Sequence, residues 1–137
     1  MKKYVFTGKT KPSASGRLLH QIKAVRNLPS LHVEAGDIGG WIENEDNLSH
    51  DGNCWVFPDA EVNGDARVYE NASIYGESII SGCAKVHGNA RICEKVIVYE
   101  HADIYDNACV AGKIHIYGDA QLCGDAVINE SVHGYPT

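Results

Sequence analysis

Seven histidines, seven tyrosines and five cysteines supply most of the side chains in this 137-residue chain that could move a proton, bind a metal or attack an electrophile. His87 and His101 are the candidates for a general base, because imidazole changes protonation near neutrality. His115 and His133 lie eighteen residues apart. In a structure repeating with that period they would share one outward column about 4.8 Å apart, giving two ligands of a zinc site that still needs a third. Cys54, Cys83, Cys93, Cys109 and Cys123 form no C-x-x-C pair and are odd in number, which reads as reduced thiols. None has a sequence neighbour with a role in activating a nucleophile. Nucleotide-binding glycine loops, the G-x-S-x-G elbow and the H-E-x-x-H zinc motif are all absent from the sequence. No cofactor is therefore expected, and catalysis is the weaker reading. The residues that stand out are instead apolar and aromatic: Ile79 and Ile97, with Tyr99, Tyr117 and Tyr135, each set recurring at eighteen residues.

The elements that position them follow from a six-residue period. From Asn53 the chain reads NCWVFP, DAEVNG, DARVYE, NASIYG, ESIISG, CAKVHG and onward to DAVINE, ending near Glu130. Position four is aliphatic in every one of these units and position two is usually alanine. Positions two and four thus face one way, as in a short strand. Positions six and one hold Gly, Asn, Asp or Glu, which suit a sharp corner. A strand of this length joined by so short a corner turns onto the next side of a prism, which makes a parallel β-helix.

Exceptions count the sides. Units starting at 77, 95, 113 and 131 replace the alanine with Ser78, Val96, Ile114 and Val132, one unit in three. The expected fold is all-β, a left-handed parallel β-helix of four to five three-sided coils with an N-terminal β-rich cap. In the exceptional column the outward positions hold Ile79, Ile97, His115 and His133, followed by Ser81, Tyr99, Tyr117 and Tyr135. An apolar and aromatic stripe on the outside of a rod is expected to be covered. A second subunit, the chain's own N-terminal segment, or a ligand stacked on the tyrosines could each cover it. A homo-oligomer is the first expectation.

The head differs from the body. Residues 1–46 are expected to cap the helix and residues 47–137 to form it. KYVFTG, RLLHQIKAVRNL and HVEAGDIGGWIE read as two or three strands, the second also compatible with a helix. Gly39 and Gly40 should permit close approach and place Trp41 over the end of the core. Residues 1–36 carry seven basic side chains against Glu34, a balance of 7 − 1 = +6, and the remainder carries 5 − 17 = −12, which sums to −6. Direct DNA binding is disfavoured except through the head, and any charge-driven association should be salt-sensitive. No apolar run approaches the ~18 residues of a membrane span and the start lacks a signal-peptide core, so a cytoplasmic, membrane-free protein is expected.

Three resemblances follow from these residues. The hexapeptide units resemble the repeat of many acyltransferases, which implies an alternative reading as an acyltransferase using acyl-CoA with His87 or His101 as base. They also resemble γ-carbonic anhydrases, which implies an alternative zinc site at His115 and His133. The order of a short β-rich head, then AGDIGGWIENEDNLSHDGNCWVF, then Asn/Asp-Ala hexapeptides is similar over nearly the whole chain to the YdcK-like β-helix family and its short phage and prophage relatives. That resemblance implies a left-handed β-helix of a kind often labelled a transferase from fold alone, whereas the residues themselves read as a non-catalytic binding or assembly protein, and the phage relatives suggest a role between phage and host. Its acidic surface would meet a basic host protein that handles nucleic acid or acts in defence, or the protein would hold a small nucleotide signal.

Overall fold

β1 (Tyr4–Pro12) and β2 (Leu18–Ala24) form an antiparallel hairpin, and β3 (Ile38–Ile42) adds to the free edge of β2. The computed structural model describes residues 2–129 and the backbone of 132–134. The segment from Leu18 is a strand and not a helix. β3 then changes the pattern, because its second edge pairs in parallel with Glu61–Val62. Head and body therefore share one continuous sheet of eight strands, and the cap is an extension of the helix wall.

The body is a three-sided parallel β-helix of mostly two-residue strands. Its first face stacks Glu61–Val62, Ile79–Ile80, Ile97–Val98, His115–Gly118 and Val132–Gly134. A second face stacks Arg67–Val68, Lys85–Val86, Asp103–Ile104 and Gln121–Leu122. The third stacks Trp55–Val56, Ser73–Ile74, Arg91–Ile92, Cys109–Val110 and Val127–Ile128. Position four points inward throughout: every such residue from Val56 to Ile116 is at most 1% exposed. The position-two alanines from Ala60 to Ala108 are fully buried beside them. Strands this short cannot hold a sheet by themselves; each is fixed by hydrogen bonds to the neighbouring coil, as where Ile79 N donates to Val96 O at 2.9 Å and Ser81 N to Val98 O at 2.8 Å.

Corner chemistry explains the acidic residues. Position six takes a positive φ at every corner from Gly64 to Gly124, and at the non-glycines Glu70, Glu94, Glu100 and Asp106 it lies between 58° and 67°. An L-residue is strained there. Three of these side chains offset the cost by accepting a hydrogen bond from the glycine N–H one coil on. Glu70 accepts from Gly88 at 3.1 Å, Glu100 from Gly118 at 3.2 Å, and Asp106 from Gly124 at 3.0 Å. No buried side-chain polar atom among the described residues lacks a partner.

Both ends depart from the eighteen-residue spacing. Trp41 opposes Glu61 and Leu48 opposes Val68, an interval of twenty, before Trp55 opposes Ser73 at eighteen. The first coil thus starts in β3, and the division expected at 46/47 falls inside it. Buried Asn47 fastens that coil: its Oδ1 accepts from Glu43 N and Asn44 N, and its Nδ2 donates to Gly64 O and Ala66 O, all within 3.1 Å. At the far end Val132 opposes Ile116 and His133 opposes Tyr117, an interval of sixteen. His115 and His133 therefore do not share a row as the uniform spacing implied. A slip of two keeps the same side of a strand outward, so the pattern of residue types alone does not exclude it.

Trp41 also differs from expectation. It lies on the outward side, with Lys11 Nζ 4.7 Å above its ring, because its neighbour Ile42 takes the inward position and alternation leaves no choice. The aromatic residue sealed by the cap is Trp55, 1% exposed and edge-on to Tyr4. Gly39 and Gly40 do permit close approach. A Cβ on Gly39 would lie 2.7 Å from Trp55 Cζ2, and one on Gly40 would lie 2.5 Å from the carbonyl oxygens of Phe57 and Ala60.

Candidate functional site

The first face carries the expected stripe. Ile79, Ile97 and His115 stand in register on its outer side. Both isoleucines are half-buried although they point away from the core. The tip of the β1–β2 hairpin lies beside the near end of this stripe. A register shift between Phe6 and Thr10, with Gly8 at φ 99°, interrupts the regular pairing of the hairpin. Lys11 to Glu61 at 3.0 Å and Arg17 to Glu43 at 3.0 Å hold its tip down. Between tip and face runs a groove of about 470 Å³ with Ile79 and Ile97 in its floor and Ser13, Arg17, Asn63 and Ser81 along its sides. The chain's own N-terminal segment thus borders one end of the stripe across this groove.

Farther along the face, the rings of Tyr99 and Tyr117 stack at 5.2 Å and 5°, and His115 meets Tyr99 edge-on at 5.9 Å. Desolvation, with Tyr117 and Glu100 beside it, holds the Tyr99 phenol above its ordinary pKa, so it stays a neutral hydroxyl at physiological pH. The structure therefore brings Ile79, Ile97, Tyr99, His115 and Tyr117 onto one surface. Tyr135 and the His133 side chain lie outside the described residues.

A second cluster forms on the second face. The His87 ring is sandwiched between Tyr69 at 4.5 Å and Tyr105 at 5.2 Å, near-parallel to both. Its Nε2 is 2.7 Å from Asp103 Oδ1 and its Nδ1 is 3.1 Å from Glu70 Oε1. Ionised carboxylates only accept, so either contact is a hydrogen bond when the ring nitrogen that makes it carries the proton. Both ring nitrogens thus face a carboxylate of this chain. His101 is exposed at a corner on the following coil. Among the described residues no three His, Cys, Asp or Glu side chains come together to hold a metal.

The third face holds a ladder that reading the repeat by hydrophobicity passed over. Asn53, Asn71, Asn89 and Asn107 recur every eighteen residues and end on Asp125. Asn89 Nδ2 donates to Asn107 Oδ1 at 3.3 Å, and Asn107 Nδ2 to Asp125 Oδ1 at 3.2 Å. The recurrence of one amide at one corner was the available signal.

A comparison with protein-family models finds no match for the chain. Among curated proteins it is similar to one named "Uncharacterized acetyltransferase YdcK" from Escherichia coli (strain K12), 34% identical over 73 residues. The match takes in 53% of this chain and 18% of that protein, so the chain spans only a small part of the curated relative's length. The similarity agrees with the YdcK-like resemblance of the sequence and with the β-solenoid architecture.

Proposed function

We propose that the protein is a binding and assembly module whose first face joins it to a second copy of itself. One observation carries this: an outward stripe of Ile79, Ile97, Tyr99 and Tyr117, in register along the face that extends into the cap. Apolar and aromatic groups stacked on a rigid wall form a preorganised contact surface, since ordering them again on binding costs little entropy. The hairpin tip borders this stripe at its Ile79 and Ile97 end. Three head cations, Lys2, Lys11 and Arg17, already pair with Glu45, Glu61 and Glu43 of the same chain. Three of the seven head cations are thereby paired within the chain, which favours the apolar stripe over charge as the basis of association. Measuring mass in solution for the chain and for Tyr99→Ala/Tyr117→Ala tests it: the variant should fall to a monomer with its secondary structure unchanged. An oligomer that persists in the variant would count against this face.

A second reading is acyl transfer, favoured by the relative's printed name and by the 2.7 Å contact of His87 with Asp103. His87 would act as base only after releasing one carboxylate. Calorimetry with acetyl-coenzyme A separates the two readings: heat of binding that is lost in His87→Ala supports acyl transfer, and no heat removes it.

A further inference from the structure

Among the described residues Lys3 is the one charged side chain with no exposed surface. It enters the end of the first coil beneath the exposed turn at Asp51–Asn53. Its Nζ donates to Cys54 O at 2.5 Å and to Gly52 O at 3.5 Å, and lies 3.1 Å from Cys54 Sγ. The five cysteines are free thiols, and Cys54 alone among them is buried. The ammonium has carbonyl and sulfur neighbours in place of a carboxylate, an expensive way to bury a charge. Burial accordingly lowers the Lys3 pKa, with the Cys54 sulfur opposing, and the same burial raises that of the Cys54 thiol.

We propose that Lys3 and Cys54 form an oxidation site, in which peroxide links the lysine amine to the cysteine sulfur and fastens the cap to the first coil. Hydrogen peroxide first converts the thiol to a sulfenic acid and is itself reduced, with release of one water. The neutral Lys3 amine then attacks sulfur: the N–S bond forms, the S–OH bond breaks, and the departing hydroxide takes the amine proton as a second water. A further peroxide places one oxygen between nitrogen and sulfur and leaves as water. Sulfenic acids are ordinarily captured by a thiol or a nearby nitrogen. Here the interior position keeps other thiols away while the nitrogen is already in contact. The protonated state of the buried thiol makes the first step slow, so this is a response to sustained peroxide.

The test uses the full chain with Cys83, Cys93, Cys109 and Cys123 changed to Ser, treated with hydrogen peroxide and read by intact mass and peptide mapping. The expected product joins the Lys3 and Cys54 peptides, with a mass change of about −2 Da for the N–S link or about +14 Da with the oxygen retained. Thiol reductant should reverse either form. Lys3→Arg should abolish the joined peptide and leave a sulfenic acid that a carbon nucleophile traps. Oxidation of Cys54 to sulfinic acid with no joined peptide in the parent chain would overturn the proposal, and so would an unreactive Cys54. Mapping the parent chain alone decides the matter if the Lys3 variant does not fold.

Discussion

Replacing Ile104 with Asp probes the inward column at its centre. Ile104 is fully buried, with Val86 on one side and Leu122 on the other in the same face. Removing the aliphatic side chain from such a site costs about 2–5 kcal/mol through lost transfer energy and the space left behind. A carboxyl group there finds no partner among the surrounding alanines and aliphatics, which adds about 1–3 kcal/mol for an unsatisfied polar group. The total, about 3–8 kcal/mol, is comparable with the net stability of about 5–15 kcal/mol that holds most domains together. The loss should also depend on pH. Desolvation raises the folded-state pKa of the new carboxyl above its unfolded value of about 3.9. A raised pKa leaves the variant closest to the parent below that value, and stability falls as pH rises through the folded pKa. Ile104→Asn has nearly the same shape as the Asp variant without the titration, so the Asp-minus-Asn difference isolates the charge. Urea unfolding of the parent and both variants at about pH 5 and about pH 8 provides the measurement. A loss under about 1 kcal/mol, or equal pH slopes for Asp and Asn, would refute the inward assignment.

Gly40→Ala should lower the thermal midpoint by several degrees and destabilise by about 1–3 kcal/mol, because the added Cβ meets two backbone oxygens that cannot swing away; a neutral result would mean that β3 does not pack against the first coil this closely. Tyr4→Phe removes the 2.6 Å hydrogen bond from the Tyr4 hydroxyl to Leu48 O at a buried site, at a cost of about 1–2 kcal/mol by denaturant unfolding. No change there would show that the cap is not anchored through this residue.

Much of the body was legible because a solenoid repeats its physics. Val62, Ile80 and Val98 each meet the same surroundings one coil apart, so a six-residue period and a three-unit exception were enough to place them. The acidic corners were legible as turn residues, although the hydrogen bond that Glu100 accepts from the Gly118 N–H was not, since it depends on side-chain reach. The ends were harder. Trp55 occupies an outward position by the repeat, yet it is buried because the cap packs on that side of the first coil. Lys3 reads as a solvated head cation by composition and is fully enclosed in the structure. Neither placement follows from a local pattern, since each depends on a partner about fifty residues away in sequence. His87 was visible as a candidate, whereas its two carboxylates come from the preceding and following coils and needed the stacking register to find.

The mass of the protein in solution, measured beside Tyr99→Ala/Tyr117→Ala, bears most directly on the claim that the first face is an assembly surface. An oligomeric parent that persists at high salt, and a folded monomeric variant, are the predicted results, because burial of an apolar stripe is little screened by ions. A parent that is monomeric throughout, or a variant with the parent's mass, would contradict the claim.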